Sequence, residues 1–200
     1  MSPKTNYHHG DLRRTLLDEA AALLREEGEA GLSMRRLAAR AGVSRTAPYH
    51  HFKDKQELLC AIAEEGFRRF VGVLTLDGTE LSPTRMDSFV RDYLEFAVNN
   101  AEYYDLMFGS HLWKSAQITD ALKQEAHGSF RFYLEQARGW QQQGFVNPKL
   151  DTLRYAQVTW STLHGMSRLL IDGIYLDPEG MEPICKQAAS MFWRELAAEH

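Results

Sequence analysis

The stretch from Ser33 to Lys55, SMRRLAARAGVSRTAPYHHFKDK, constrains this chain more than any other. Before Gly42, the residues Met34, Leu37 and Ala38 repeat at helical spacing. After it, Ser44 opens a second short run that ends near His50. Glycine enters the left-handed backbone region without a Cβ clash, so Ala41-Gly42-Val43 predicts a tight turn between two short helices. Ser33 and Ser44 stand where an N-cap hydroxyl accepts from an orphan helical amide. From Ser33 through Lys53 the stretch holds Arg35, Arg36, Arg40, Arg45 and Lys53, and no Asp or Glu.

That basic run is a local reversal in a chain of net charge -4. Residues 1–60 carry ten Lys/Arg against eight Asp/Glu; the remainder carries thirteen against nineteen. A polyanionic partner is therefore expected at the N-terminal part alone, because the rest repels phosphates. The composition, 44% hydrophobic and 25% charged, is ordinary for a soluble globular protein. Cys60 and Cys185 lack any CxxC spacing and predict buried, reduced thiols. The N-terminal MSPKTNYHHGDL has no apolar signal run, and no segment is apolar for long enough to span a bilayer. A cytoplasmic location without membrane contact is expected.

Helical periodicity continues nearly throughout, so the expected fold is all-α with about nine helices and no strands. Asp11–Glu27 is amphipathic, with Gly28 as its stop. Asp54 and Glu57 have capping-box spacing at the head of a long helix over 55–76. Pro83 suits a first helical turn, and Asn99-Asn100 ends that helix. Further helices are predicted over 102–109, 117–143, 150–171 and 179–198, with a last turn at Asp177–Gly180. The expected domains are 1–54 with the helix-turn-helix, a connecting helix at 55–76, and a helical effector and dimerisation domain over 77–200.

A helix-turn-helix reads DNA by placing its second helix in the major groove, with the N-terminal side chains at base edges. Ser33, Arg35, Ser44, Arg45, Thr46, Ala47, Tyr49, His50 and Lys55 form the candidate DNA-contacting set. Arg45 suits guanine or phosphate, Thr46 and Ala47 a thymine methyl, and Tyr49 and His50 phosphate. Lys55 and Ser33 lie at helix starts, where the dipole favours an anion. Pro48 falls near the fourth position of the recognition helix, removing one amide and crowding the carbonyl near Ser44, so an irregular first turn is predicted. On charge alone, a solvated Arg-rich helix pair is an equal alternative; the turn glycine, the serine caps and Tyr49-His50-His51-Phe52 weigh against it.

These residues resemble the DNA-binding segment of TetR-type (AcrR-like) bacterial transcriptional regulators. The likeness rests on Ser33, on Ala38-x-x-Ala41-Gly42-Val43-Ser44, and on Tyr49-x-x-Phe52-x-x-Lys55-x-x-Leu58, within residues 9–70. Thr46-Ala47-Pro48 departs from the Gly-Thr-Leu or Gly-Ala-Leu common there. Trp160, His164 and Gly165 resemble the Trp/His-Gly signature of one C-terminal subclass. The resemblance implies a homodimeric repressor that leaves palindromic double-stranded DNA when a small effector binds its C-terminal half.

A small apolar or aromatic effector needs apolar walls and a few polar points. Phe96, Phe108, Trp113, Phe130 and Trp160 are candidate walls and His164 a candidate polar point; the alternative is that these aromatics simply fill a core. Val158, Leu169, Ile184, Ala188, Met191 and Phe192 are candidate dimer-interface residues on the last two helices; the alternative is that they face the monomer core. The chain has no nucleophile elbow, P-loop or metal-ligand spacing, so no enzyme activity, metal or cofactor is expected. A ligand-responsive activator, or a helical adaptor that binds proteins and not DNA, are the competing functions.

Overall fold

The computed structural model describes residues 9–75, 81–114, 117–175 and 180–197. Among them are nine α-helices: α1 (His9–Gly31), α2 (Met34–Arg40), α3 (Lys55–Leu74), α4 (Pro83–Asn99), α5 (Ala101–Phe108), α6 (Ser110–Trp113), α7 (Asp120–Gln142), α8 (Thr152–Ile171) and α9 (Glu182–Leu196). A 3-10 turn spans Ala47–His50. The described residues contain no strand, and the fold is all-α as the periodicity requires. The predicted turn at Asp177–Gly180 lies mostly outside the described residues. No described helix is long and apolar enough to cross a membrane.

The helix boundaries follow local chemistry. Gly28 adopts φ 66°, ψ -175° and breaks α1 near its end, where the sequence places a stop. Ser33 and Ser82 cap α2 and α4, each hydroxyl accepting from the amide three residues on at 3.3 Å. Asp151 caps α8 in the same way, from Arg154 N at 3.1 Å. At the head of α3, Asp54 Oδ1 accepts from Glu57 N at 2.9 Å. Glu57 reaches back to Lys53 N at 2.7 Å, one residue earlier than an ordinary capping box. Helix α7 starts at Asp120 rather than 117 because Thr119 Oγ1 accepts from Leu122 N at 3.1 Å.

The chain forms two compact units, residues 1–66 with 102–124, and residues 67–101 with 125–200. In the first, α1 packs on α2, and α2 on the 3-10 turn. Its buried core includes Leu16, Ala20, Leu37, Ala38, Phe52, Leu58 and Ile62. Arg13 lies over the Phe52 ring, 5.4 Å from its centroid. Gly66 lets α5 approach α3 closely: a Cβ there would lie 2.7 Å from Met107 Sδ.

In the second unit, α4 packs on α8 and α9. Its centre is aromatic. The Trp160 ring meets Phe70 (5.6 Å), Tyr93 (6.2 Å), Phe130 (5.6 Å) and Tyr133 (5.7 Å). The first three are edge-to-face and the Tyr133 ring is tilted; aromatic pairs of this kind add about 0.5–1.5 kcal/mol each beyond their area. The Tyr133 hydroxyl is fully buried against Thr159 Oγ1 at 2.8 Å, and burial pushes its pKa up to about 12. On the rim of this unit Arg91 of α4 pairs with both Asp87 and Glu182, the latter on α9.

Candidate nucleic-acid interface

The turn between α2 and the recognition segment forms as the glycine predicts. Gly42 has φ 67°, and Val43 N donates to Ala38 O at 3.0 Å. Beyond it the expected α-helix from Ser44 is replaced by turns and a 3-10 segment. Ala47 N donates to Ser44 O at 3.0 Å and Tyr49 N to Thr46 O at 3.1 Å, both three-residue closures. The cause is Pro48, which has no amide and whose ring would crowd the carbonyl of Ser44 in an α-helix. Pro48 is buried, and its own carbonyl accepts from His51 N at 3.0 Å and Phe52 N at 2.9 Å. Ser44 makes no side-chain cap; its hydroxyl lies 3.1 Å from Thr46 Oγ1.

The segment presents Ser44, Arg45, Thr46, Tyr49 and His50 to solvent, with Ala47 half-buried. Tyr49 is 55% exposed, leaving its ring and hydroxyl open to a partner. The arginines divide into two sets. Arg36 pairs with Glu27, and Arg40 with Glu19 and Glu26, all on α1. Arg35 and Arg45 are exposed, and no ion pair engages either among the described residues. The basic run is therefore smaller than its sequence count. Ser33 is engaged as the α2 cap, and Lys55 Nζ donates to Glu29 O at 2.6 Å. The acids that engage Arg36, Arg40 and Lys55 lie in α1, so nothing within the stretch itself signals these contacts.

The candidate effector residues fall in both units. Phe96, Phe130 and Trp160 join the second unit's aromatic cluster, Phe96 lying 5.1 Å from Phe70. His164, half-buried, is held below the ordinary imidazole pKa by burial and then by Arg168, which favours its neutral form. Phe108 and Trp113 belong to the first unit. Phe108 packs on Tyr104 at 4.7 Å, and the Trp113 ring N–H donates to Met107 O at 2.6 Å.

The outer face of α8 and α9 carries two open clefts, of about 340 and 690 Å³. Val158, Met191 and Phe192 line the smaller and Ile184 the larger. Val158 and Met191 are 63% and 50% exposed, whereas Ala188 and Phe192 are buried and Leu169 is half-buried.

Residues 16–62 match the model of the bacterial regulatory proteins, tetR family, and residues 86–192 that of the tetracyclin repressor-like C-terminal domain. The chain belongs to the TetR family. A solved structure of a protein of unknown function from Rhodococcus sp. RHA1 is 34% identical, with a TM-score of 0.82 over 97% of this chain and 100% of that one. The tetracycline repressor protein class C of Escherichia coli is 38% identical over 89 residues, covering 44% of this chain and 36% of that protein. The HTH-type transcriptional repressor Rv1474c of Mycobacterium tuberculosis is 38% identical over 77 residues, 38% of this chain and 41% of its own length. The chain thus spans less than half the length of these two curated relatives. TetR-family proteins of this kind are DNA-binding transcriptional regulators, not enzymes.

Proposed function

We propose that this TetR-family chain is a homodimeric repressor that reads a palindromic operator in double-stranded DNA. It leaves the operator when a small apolar or aromatic effector binds within residues 77–200. The observation that carries this reading is the exposed set Arg45, Thr46, Tyr49 and His50 on the turn and 3-10 segment after Gly42, together with Arg35, which no ion pair engages among the described residues. Two exposed guanidinium groups, an aromatic hydroxyl and a threonine methyl supply phosphate clamps and base-edge contacts within one short segment. Residues 1–54 act as the reading domain and 55–76 as the connector. Two copies joined through the α8–α9 face present two such segments to two half-sites, as two-fold operators require. The effector acts by favouring a dimer geometry whose half-site spacing no longer fits DNA. The protein works in the bacterial cytoplasm, on the nucleoid when bound.

Selection of binding sites from random duplex DNA tests this reading. The expected product is a palindrome whose affinity falls steeply with salt. Recovery of no enriched sequence, or a salt-independent affinity, overturns it.

A further inference from the structure

The division of the arginines carries a consequence for Arg40. This side chain donates Nε to Glu19 Oε2 at 2.6 Å, Nη1 to Glu26 Oε2 at 2.5 Å and Nη2 to Glu26 Oε1 at 2.7 Å. All three guanidinium nitrogens are engaged. The Glu26 contact is a fork-to-fork pair, and Glu19 lies two helical turns earlier on α1. Arg36, four residues before Arg40 on the same face of α2, pairs with Glu27. The α2 face that turns toward α1 is thus held by α1 carboxylates at two positions one turn apart, Arg36 and the C-terminal Arg40.

Arg40 is the last residue of α2. Ala41 and Gly42 follow as the turn, and the exposed contact segment opens at Ser44. Any shift of the α2 C-terminus passes directly into Arg45 and Thr46. Contact residues on such a segment need support that fixes them to about 0.5 Å. A planar guanidinium held on three bonds fixes both separation and tilt, which a lysine ammonium, a single point charge, does not. The Arg40 hydrogen bonds also hold the Glu26 carboxyl below its ordinary pKa. The groups are partly exposed, with side-chain exposures of 32%, 34% and 52%, and such networks contribute little to global stability.

We infer that Arg40 is a positioning residue for DNA reading: seated on Glu19 and Glu26, it sets the angle of the contact segment and touches no phosphate. This rests on the operator-reading function proposed above, and it separates Arg40 from Arg35 and Arg45 in the same basic run.

The test measures operator affinity of the full-length chain, and of its R40K, R40A and E26Q variants, at several salt concentrations, with a thermal melt of each. A positioning role predicts a several-fold loss of affinity in R40K and E26Q, with an unchanged salt slope and a melting temperature close to wild type. Charge alone predicts the reverse for E26Q, because a negative group near DNA is removed. Wild-type affinity in R40K overturns the inference. So does a slope reduced by about 0.9 in R40A, the signature of one lost phosphate contact. Tighter binding by E26Q with a steeper slope also overturns it. Wild-type protein that binds no DNA overturns the repressor reading itself, and the wild-type measurement distinguishes that failure from failure of the clamp.

Discussion

Lys55 donates its ammonium to the main-chain carbonyl of Glu29 at 2.6 Å, tying the first residue of α3 to the segment just past the Gly28 break in α1. The carboxylate of Glu29 lies 4.0 Å from the same nitrogen. A lysine at a helix start suits a phosphate, but here its charge is already directed at the protein. Lys55→Met is expected to lower stability by about 1 kcal/mol through the lost hydrogen bond. Chemical denaturation measures the loss. The salt slope of DNA binding stays at the wild-type value; a slope lowered by about 0.9 identifies Lys55 as a phosphate contact instead.

Arg45 is the cation best placed on the contact segment. Arg45→Ala is expected to relax base preference at one position of each half-site, by about 1–3 kcal/mol of discrimination. Repeating the random-DNA selection with the variant reads this directly. An unchanged consensus with uniformly weaker binding assigns Arg45 to the phosphate backbone.

The α4–α9 link responds to acid. Arg91, and then Lys186, hold the Glu182 carboxyl at a pKa of about 2, against 4.5 for an ordinary glutamate. A depressed folded-state pKa means that the pair stabilises the fold fully above about 4.5. That contribution fades as the pH falls from there toward 2. Urea melts at pH 6, 4 and 3 are expected to show the fall, and Glu182→Gln to flatten it. Identical pH profiles for the two proteins exclude this pair as the cause.

Val158 and Met191 leave large apolar area in water on the α8–α9 face. Val158→Glu is expected to convert a dimer to a monomer in sedimentation, with helical content unchanged, because two copies of the new charge oppose each other across a two-fold contact. A dimer that survives this change places the two-fold contact elsewhere.

Trp160 holds four rings together, so Trp160→Ala is expected to cost about 3 kcal/mol or more. A loss below 1 kcal/mol in denaturant melts shows that the cluster closes over the vacancy.

Short-range chemistry was legible in the sequence. The Ser33 cap, the Asp54–Glu57 cap, the break at Gly28 and the turn at Gly42 each depend on residues within five positions of one another. Pro48 announced an irregular recognition segment, but not that the α-helix gives way wholly to turns and a 3-10 segment. What escaped the sequence was long-range pairing. Periodicity reports which face of a helix is apolar and is silent on which acid meets which base. Arg36 and Arg40 therefore count toward the basic run of the sequence, whereas in the structure Glu19, Glu26 and Glu27 of α1 engage them. Phe108 and Trp113 read as candidate effector walls from their residue type alone, and periodicity does not report that residues 102–124 fold with the N-terminal unit. Aromatic abundance marked a centre for the C-terminal unit without distinguishing a packed cluster from a lined cavity. The short helix α6 follows α5 too closely for periodicity to separate the two.

The ring of Pro48 fixes one torsion of the contact segment, and its carbonyl gathers the amides of both His51 and Phe52. The ring and these two bonds pre-organise this backbone. Little conformational entropy should then be lost on docking to a rigid duplex, and the heat capacity of association is expected to reflect surface removed from water with no added contribution from folding. A segment preset in this way is expected to discriminate by fit rather than to remould itself around a mismatched site.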